Sequence, residues 1–412
     1  MTIVLGVWPE NPHQALVLRL LRNDGPRSRA ELGDAVGLSR SKVATELDRL
    51  TERGLIETVG PAVSRGGRPS SIVRIAADTR FLSIDIGAST IDVAVTDGEL
   101  RLLGRVTEHT ELRQGPNAVI GQALDLITKL RAESGSTRFT GAGVGIPGPV
   151  SFRDGVPVSP PFMPGWHLFP VREMFSTELG CPVLVDNDVN IMALGEKHAG
   201  IAKAFDDFLF VKIGAGIGAG IVVGGDVYRG ANGCAGDIGH TAVDDSGPVC
   251  VCGNVGCLEA YFGGAALTRD AVSAARTGRS DQLAEVLSVA GALTGVDVRD
   301  AAAAGDQAAI GMVRDGGRRV GQVLARLVSF FNPGMIVIGG GLAGLGHSLL
   351  AEIRSVVYRS SLPLATGHLP IVLSELGDQA GLIGATRMVS DHVLTAATHS
   401  GPARHSAHPA GR

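Results

Sequence analysis

Residues 236–260 read GDIGHTAVDDSGPVCVCGNVGCLEA, one histidine and three cysteines in a short glycine-rich segment. His240, Cys250, Cys252 and Cys257 follow the spacing H-x9-C-x-C-x4-C. Four soft ligands with no position left for water match tetrahedral zinc of the structural kind, because a catalytic zinc keeps one position open. The segment predicts a Cys3His zinc loop. Cys181 and Cys234 fall outside the spacing and are expected to be small buried residues.

Around this loop, apolar runs alternate with glycine turns. FLFVKIGAGIGAGIVVGGDVYRG (208–230) precedes it as a strand, a glycine-rich turn and a second strand. Further upstream, CPVLVDNDVNIMALGEKHAG (181–200) gives a strand, the polar cluster Asp186-Asn187-Asp188-Val189-Asn190, and a helix. Carboxylates and amides at a strand-to-helix junction suit a polyhydroxylated ligand, or the removal of a proton from a hydroxyl. FLSIDIGASTIDVAVTDGELRLLGR (81–105) is a strand pair whose first strand ends in Asp85. Asp-x-Gly there suits a corner for phosphate and magnesium, or equally an ordinary tight hairpin. GAGVGIPGPV (141–150) and MIVIGGGLAGLG (335–346) are further strands running into glycine turns. The repeated order of strand, glycine turn and strand predicts two related α/β halves around a cleft.

A chain of 412 residues is expected to form two or three domains. Abundant glycine and few aromatics fit an α/β protein with many tight turns. No apolar run reaches the ~20 residues that span a bilayer, and MTIVLGVWPENPHQ lacks the pattern of a secretory signal. Clustered cysteines without a disulfide framework point to a reducing cytoplasm and no membrane partner.

Charge divides the chain. Residues 1–76 carry +3, leaving −7 for the rest. Leu16, Val17, Leu20 and Leu21 have helical spacing and stop at the breaker NDGP. SRAELGDAVGLS follows, with Ser28 and Glu31 in a capping box and Gly37 in a turn. A third helix from Ser39 turns Val43, Leu47 and Leu50 inward, leaving Arg40, Ser41, Lys42, Thr45 and Glu46 exposed near its start. That is the end a recognition helix presents to the major groove. Two β-prone segments then flank a tip with Arg65 and Arg68, a wing able to lie along phosphates or in a minor groove. A winged helix-turn-helix is expected over 1–76, a two-lobed body over 80–390, and a disordered tail over 394–412. Within the body, the smaller lobe is expected over about 80–185 and the larger over about 186–390. A small helical oligomerisation module is the alternative for the head.

GDIGH, CVCGNVGCLEA, VDNDVNIMALGE and IGAGIGAGIVVGGDVYRGANG together resemble the ROK family of repressors, open reading frames and sugar kinases. The likeness covers about 13–390, and the head with its GRPS wing resembles the repressor branch. It implies an actin/hexokinase-like (RNase H-like) body with a sugar and nucleotide cleft. By motif, Asn187, Asp188, Asp237, His240 and Glu259 would contact sugar, with Asp188 the general base in kinase members. Asp85 and Gly87 match the first phosphate motif, Gly214, Gly216 and Gly218 the second, and Gly340 and Gly341 the nucleotide-side turn. Asp237 stands where the family usually has glutamate. Kinase members read D-x-G-G-T-K where this chain reads DIGAST, with Ala88, Ser89 and Thr90, and Ala215 replaces a usual threonine. Losing a glycine, a lysine and a hydroxyl should harm phosphoryl transfer more than sugar binding, since transfer depends on positioning and electrostatics. The resemblance thus implies a sugar-responsive regulator with operator DNA and a sugar or sugar phosphate as partners, acting as a homodimer or homotetramer. The alternatives are an ATP- and Mg2+-dependent sugar kinase, and a DNA-binding protein whose body only oligomerises.

Overall fold

The computed structural model describes residues 9–61, 71–135 and 138–395. The wing tip with Arg65 and Arg68, and the tail from 396 onward, lie outside the described residues.

The head opens with a helix, Pro12–Asp24, capped by Asn11 and closed at Gly25. Val17, Leu18 and Leu21 are its buried positions, while Leu16 and Leu20 are only half-buried, so its apolar face is rotated from the expected one. Arg29–Val36 forms next with both halves of the capping box in place and Gly37 in the left-handed conformation. The helix Arg40–Glu52 buries Val43, Leu47 and Leu50 and exposes Arg40, Ser41, Lys42 and Thr45. Glu46 departs from the expected exposed face. Its carboxylate accepts from Asn11 Nδ2 at 2.9 Å and Gln14 Nε2 at 2.8 Å, tying the third helix to the first. A three-stranded sheet, Arg27–Ser28 against Ser71–Ile75 against Ile56–Pro61, completes the winged helix.

The body holds two five-stranded sheets of the same topology. The first contains Arg80–Ile86, Thr90–Asp97, Leu102–His109, Gly141–Ile146 and Val183–Asn187. The second contains Phe208–Ile213, Ile217–Val223, Asp226–Val227, Ile336–Gly339 and Ile371–Leu373. Each sheet runs 3-2-1-4-5 in its own chain order, with an antiparallel meander beside two parallel strands. The repeated sequence pattern is therefore a repeated architecture. Parallel pairing sets Asp85 opposite Gly145 and Gly145 opposite Asp186 near the carboxyl ends of the first sheet. In the second sheet Lys212 pairs with Gly218 and Gly339. Open α/β sheets bind ligands at those strand ends.

The helix Gln379–Thr395 joins the parts. It packs against the helix Asp188–His198, here called the site helix, and against the first sheet. Contact with the site helix is close enough to require glycine: a Cβ on Gly384 would lie 1.7 Å from the Ile191 carbonyl oxygen, and one on Gly195 2.1 Å from that of Ala380. The C-terminal helix also buries Val389, Val393 and Leu394 against the head's core. Arg22, from the head's first helix, is buried there and pairs with Asp391 at 2.7 Å. Leu394 was expected to begin a disordered tail, yet it is a buried core residue because this helix needs its last turn to cover the head.

Candidate functional site

The cleft between the two sheets is lined from one side by Gly148, Asn187 and Asp188, and from the other by Lys212, Asp237 and Glu259. The site helix begins here because Asn187 caps it, its Oδ1 accepting from Val189 N at 2.8 Å and Asn190 N at 3.3 Å. Asn187 Nδ2 donates to the Gly148 carbonyl at 2.8 Å, which fixes the amide between two loops. Asp188 is buried, and its Oδ1 accepts from Val189 N at 2.9 Å. Its Oδ2 is paired with Lys212 Nζ across the cleft. Burial alone would lower the Lys212 ammonium, but Asp188, then Asp85 and Glu259, lift it above the ordinary lysine range. It therefore stands as a resident cation among carboxylates. Burial, then the charge of Asp188, pushes Asp85 up to about 7.

Two members of the polar cluster turn away from ligand duty. Asp186 accepts from Asn190 Nδ2 at 2.9 Å and pairs with Arg229 at 2.7 Å, so both complete a buried network beneath the site. Arg229 also stacks over the Phe152 ring at 4.0 Å. Lys212 and Arg229 were missed in the sequence. A lone lysine inside the apolar strand FLFVKI was the available signal, since a buried ammonium needs a partner.

Glu259 lies at the start of the short helix Leu258–Phe262, its Oε2 accepting from Ile217 N at 3.0 Å. Burial, eased by that N–H, pushes its carboxyl up. Just before it, His240, Cys250, Cys252 and Cys257 bring their ligand atoms within 4.8 Å of one another. His240 Nδ1 is 3.5 Å from Cys250 Sγ, and Cys252 Sγ is 3.7 Å from Cys257 Sγ. Tetrahedral zinc bond lengths would set such pairs roughly 3.5–3.8 Å apart, so the donor set fits that ion. His240 Nε2 points the other way, 4.0 Å from Asp237 Oδ1 in the cleft. Cys181 is buried as expected, whereas Cys234 is exposed at the cleft wall.

The glycine turns gather beside the carboxylate-lined end. Gly214 and Gly341 border a second depression with Gly264, Gly295 and Arg299. Gly340 takes φ +86°, and a Cβ there would lie 2.6 Å from the Ile213 carbonyl oxygen. Gly216 borders the cleft against Glu259, and Gly218 packs under Val189, where a Cβ would meet Cγ2 at 3.0 Å. Gly87 N closes the hairpin onto the Thr90 carbonyl at 2.7 Å, with Ala88 on the cleft wall.

Twin α/β lobes around a cleft of carboxylates, with a winged helix in front, define a sugar-kinase-type body joined to a DNA-binding type of head. Residues 81–392 match the ROK family, to which the chain belongs, and residues 11–65 match the MarR family. A putative xylose repressor of Caldicellulosiruptor sp. strain Rt8B.4 is 29% identical over 93% of this chain and 96% of its own. Among solved structures, a ROK family transcriptional regulator, described as a homolog of the E. coli MLC protein, aligns with TM-score 0.77 and 26% identity. That alignment covers 93% of this chain and 98% of the other. A ROK family glucokinase from Streptomyces griseus, solved with glucose and AMPPNP, aligns with TM-score 0.66 and 29% identity over 75% of this chain and 99% of its own. The fold is thus actin/hexokinase-like with a MarR-like winged head.

Proposed function

We propose that this chain is a sugar-responsive transcriptional repressor: the winged head holds operator DNA, and a sugar in the cleft releases it. The observation that carries this reading is that one helix, Gln379–Thr395, packs on both the site helix and the head. The relatives named as regulators align with 93% of this chain, whereas the glucokinase aligns with 75% of it. Arg40, Ser41, Lys42 and Thr45, exposed on the third helix, face the DNA, and the wing arginines Arg65 and Arg68, which lie outside the described residues, add phosphate or minor-groove contacts. A homodimer or homotetramer in the cytoplasm sets two heads on a roughly two-fold operator.

Asp188, Asp237, His240 and Glu259 read the sugar hydroxyls, and Asn187 holds the loop that shapes their pocket. The Cys3His set holds a structural zinc, which fastens both ends of the segment carrying Asp237 and Glu259. Phosphoryl transfer is not its work. Asp188 would be the general base, but its carboxylate is already engaged by Lys212. Asp85, Gly87, Gly214, Gly216, Gly218, Gly340 and Gly341 keep the backbone of a nucleotide side, while Thr90 in place of a lysine removes a charge from its first loop and Ala215 in place of a threonine removes a hydroxyl from its second.

A thermal-shift screen of pentoses and hexoses, xylose and glucose included, tests binding, because selective binding to the native state raises stability. Run with and without ATP and Mg2+, it should give the same sugar shift in both. ADP release on any of these sugars that disappears in Asp188→Asn would establish the kinase reading instead.

A further inference from the structure

A second cavity, of about 620 Å³, opens where the head, the first sheet and the C-terminal helix meet. It shares no lining residue with the sugar cleft. Arg22 reaches it from the head, Thr96 and Arg105 from the first sheet, His198 from the end of the site helix, and Arg387 from the C-terminal helix. Its ionisable lining is three arginines, one glutamate (Glu99) and His198. Burial, reinforced by Arg387, lowers His198 to about 4, so at neutral pH it adds no charge of its own.

These cations are not all fully engaged. Arg22 gives Nη1 to Asp391 and to Ser390, and Nε to Asn23, but its buried Nη2 has no hydrogen-bond partner. Thr96 Oγ1 is likewise buried without a partner. A buried donor left unmade is costly, and one on a charged group more so. Arg387 completes the corner, pairing with Asp391 at 2.8 Å and donating to Asn23 at 3.0 Å. Two guanidinium groups therefore share one carboxylate, leaving local positive charge. Leu382 and Ile383 add an apolar wall from the C-terminal helix. A size in the range of metabolite sites, a cationic corner and an apolar wall together describe a ligand with one anionic end and an organic body.

We propose that this cavity is a second ligand site, for a small organic anion whose carboxylate or phosphate monoester accepts from Arg22 and Arg387 and whose body rests on Leu382 and Ile383. Its position gives it a regulatory role. The occupant touches the head, the first sheet, the site helix and the C-terminal helix at once, so it favours whichever head position shapes the cavity best.

Calorimetric titration of the full chain with benzoate, glycerol 3-phosphate and inorganic phosphate tests the site. Saturable binding of one of the two organic anions, at least about tenfold tighter than inorganic phosphate, is expected, and which one binds separates carboxylate from phosphate monoester. Ala199 is exposed on the cavity rim, so Ala199→Trp plugs the entrance without entering the core. Ala199→Trp and Arg387→Gln should each weaken that binding about tenfold or more, the worth of one charge-assisted hydrogen bond. Val289→Ser, on an exposed helix face of the second lobe, should leave it unchanged. The proposal is overturned if neither organic anion saturates at millimolar concentration, or if inorganic phosphate binds as well. It is equally overturned if Ala199→Trp binds like the parent, or if Val289→Ser abolishes binding.

Discussion

The two ends of the main cleft differ in how their polar groups are held. At the sugar end four side chains have an anchor: Asp188 on Lys212, Glu259 on Ile217 N, Asn187 on Gly148, and His240 on the thiol cluster, while Asp237 stands more open, 4.0 Å from His240 Nε2. At the phosphate end Gly214, Ala215 and Gly341 line a depression whose charged side chain, Arg299, is paired with Asp300 at 2.8 Å, and Ala88 offers no polar group. Lys212, the lysine on that wall, is turned toward Asp188. The difference teaches that recognition and transfer make different demands on such a cleft. Binding needs fixed donors and acceptors around hydroxyls, while transfer also needs charge placed around a phosphoryl group.

The largest expected effect comes from the thiol cluster. Structural zinc in small sites is worth on the order of 10 kcal/mol of local folding energy. Cys252→Ser, or chelation of the parent, should empty the metal and abolish sugar binding together, checked by metal analysis beside sugar titration. Metal loss with unchanged sugar affinity would break the link between the loop and the sugar end. Next is the ion pair across the cleft. Asp188→Asn leaves the Lys212 ammonium buried without its main partner, so urea unfolding should report a loss of about 3–5 kcal/mol. Adding Lys212→Met should restore part of that loss. If the two substitutions are simply additive, the pair is not the anchor described.

Asp85 sharpens the comparison through pH. Its folded value, about 7, lies above the ordinary 3.8, so the native state binds the proton more tightly than the unfolded chain. Its contribution therefore favours the fold at low pH and is lost as pH rises from about 4 to about 7. Asp85→Asn should flatten that part of the stability profile, and an unaltered profile would show that Asp85 titrates normally. A smaller effect is expected at the helix crossing. Gly384→Ala places a Cβ against the Ile191 carbonyl and should cost about 1–3 kcal/mol as the two helices separate. It should also blunt the response of the head to sugar. Intact coupling in that variant would move the relay elsewhere.

What the sequence revealed was local in space. The metal loop was legible because its ligands lie within one short segment, and the capping box of Ser28 and Glu31 because it spans one turn. The repeated strand–glycine–strand pattern was legible as two halves, since both sheets repeat one topology. Long-range pairings were not. The partnership of Asp188 with Lys212 joins two lobes, and that of Arg22 with Asp391 joins the two ends of the chain. No spacing encodes either. Asp186 and Asn190 read as ligands in sequence, but Arg229, from a distant hairpin, pairs with Asp186, to which Asn190 in turn donates. Leu394 looked like tail because its cover, the head's core, is supplied by the opposite end of the sequence.

The most direct measurement is the affinity of the full chain for a DNA duplex that it selects from a random pool, followed by fluorescence anisotropy across a sugar panel. One sugar should weaken the complex in a saturable way, Asp188→Asn should abolish the effect, and ATP and Mg2+ should not be required. DNA affinity that no sugar changes, or a change that survives in Asp188→Asn, would contradict the sugar-responsive reading.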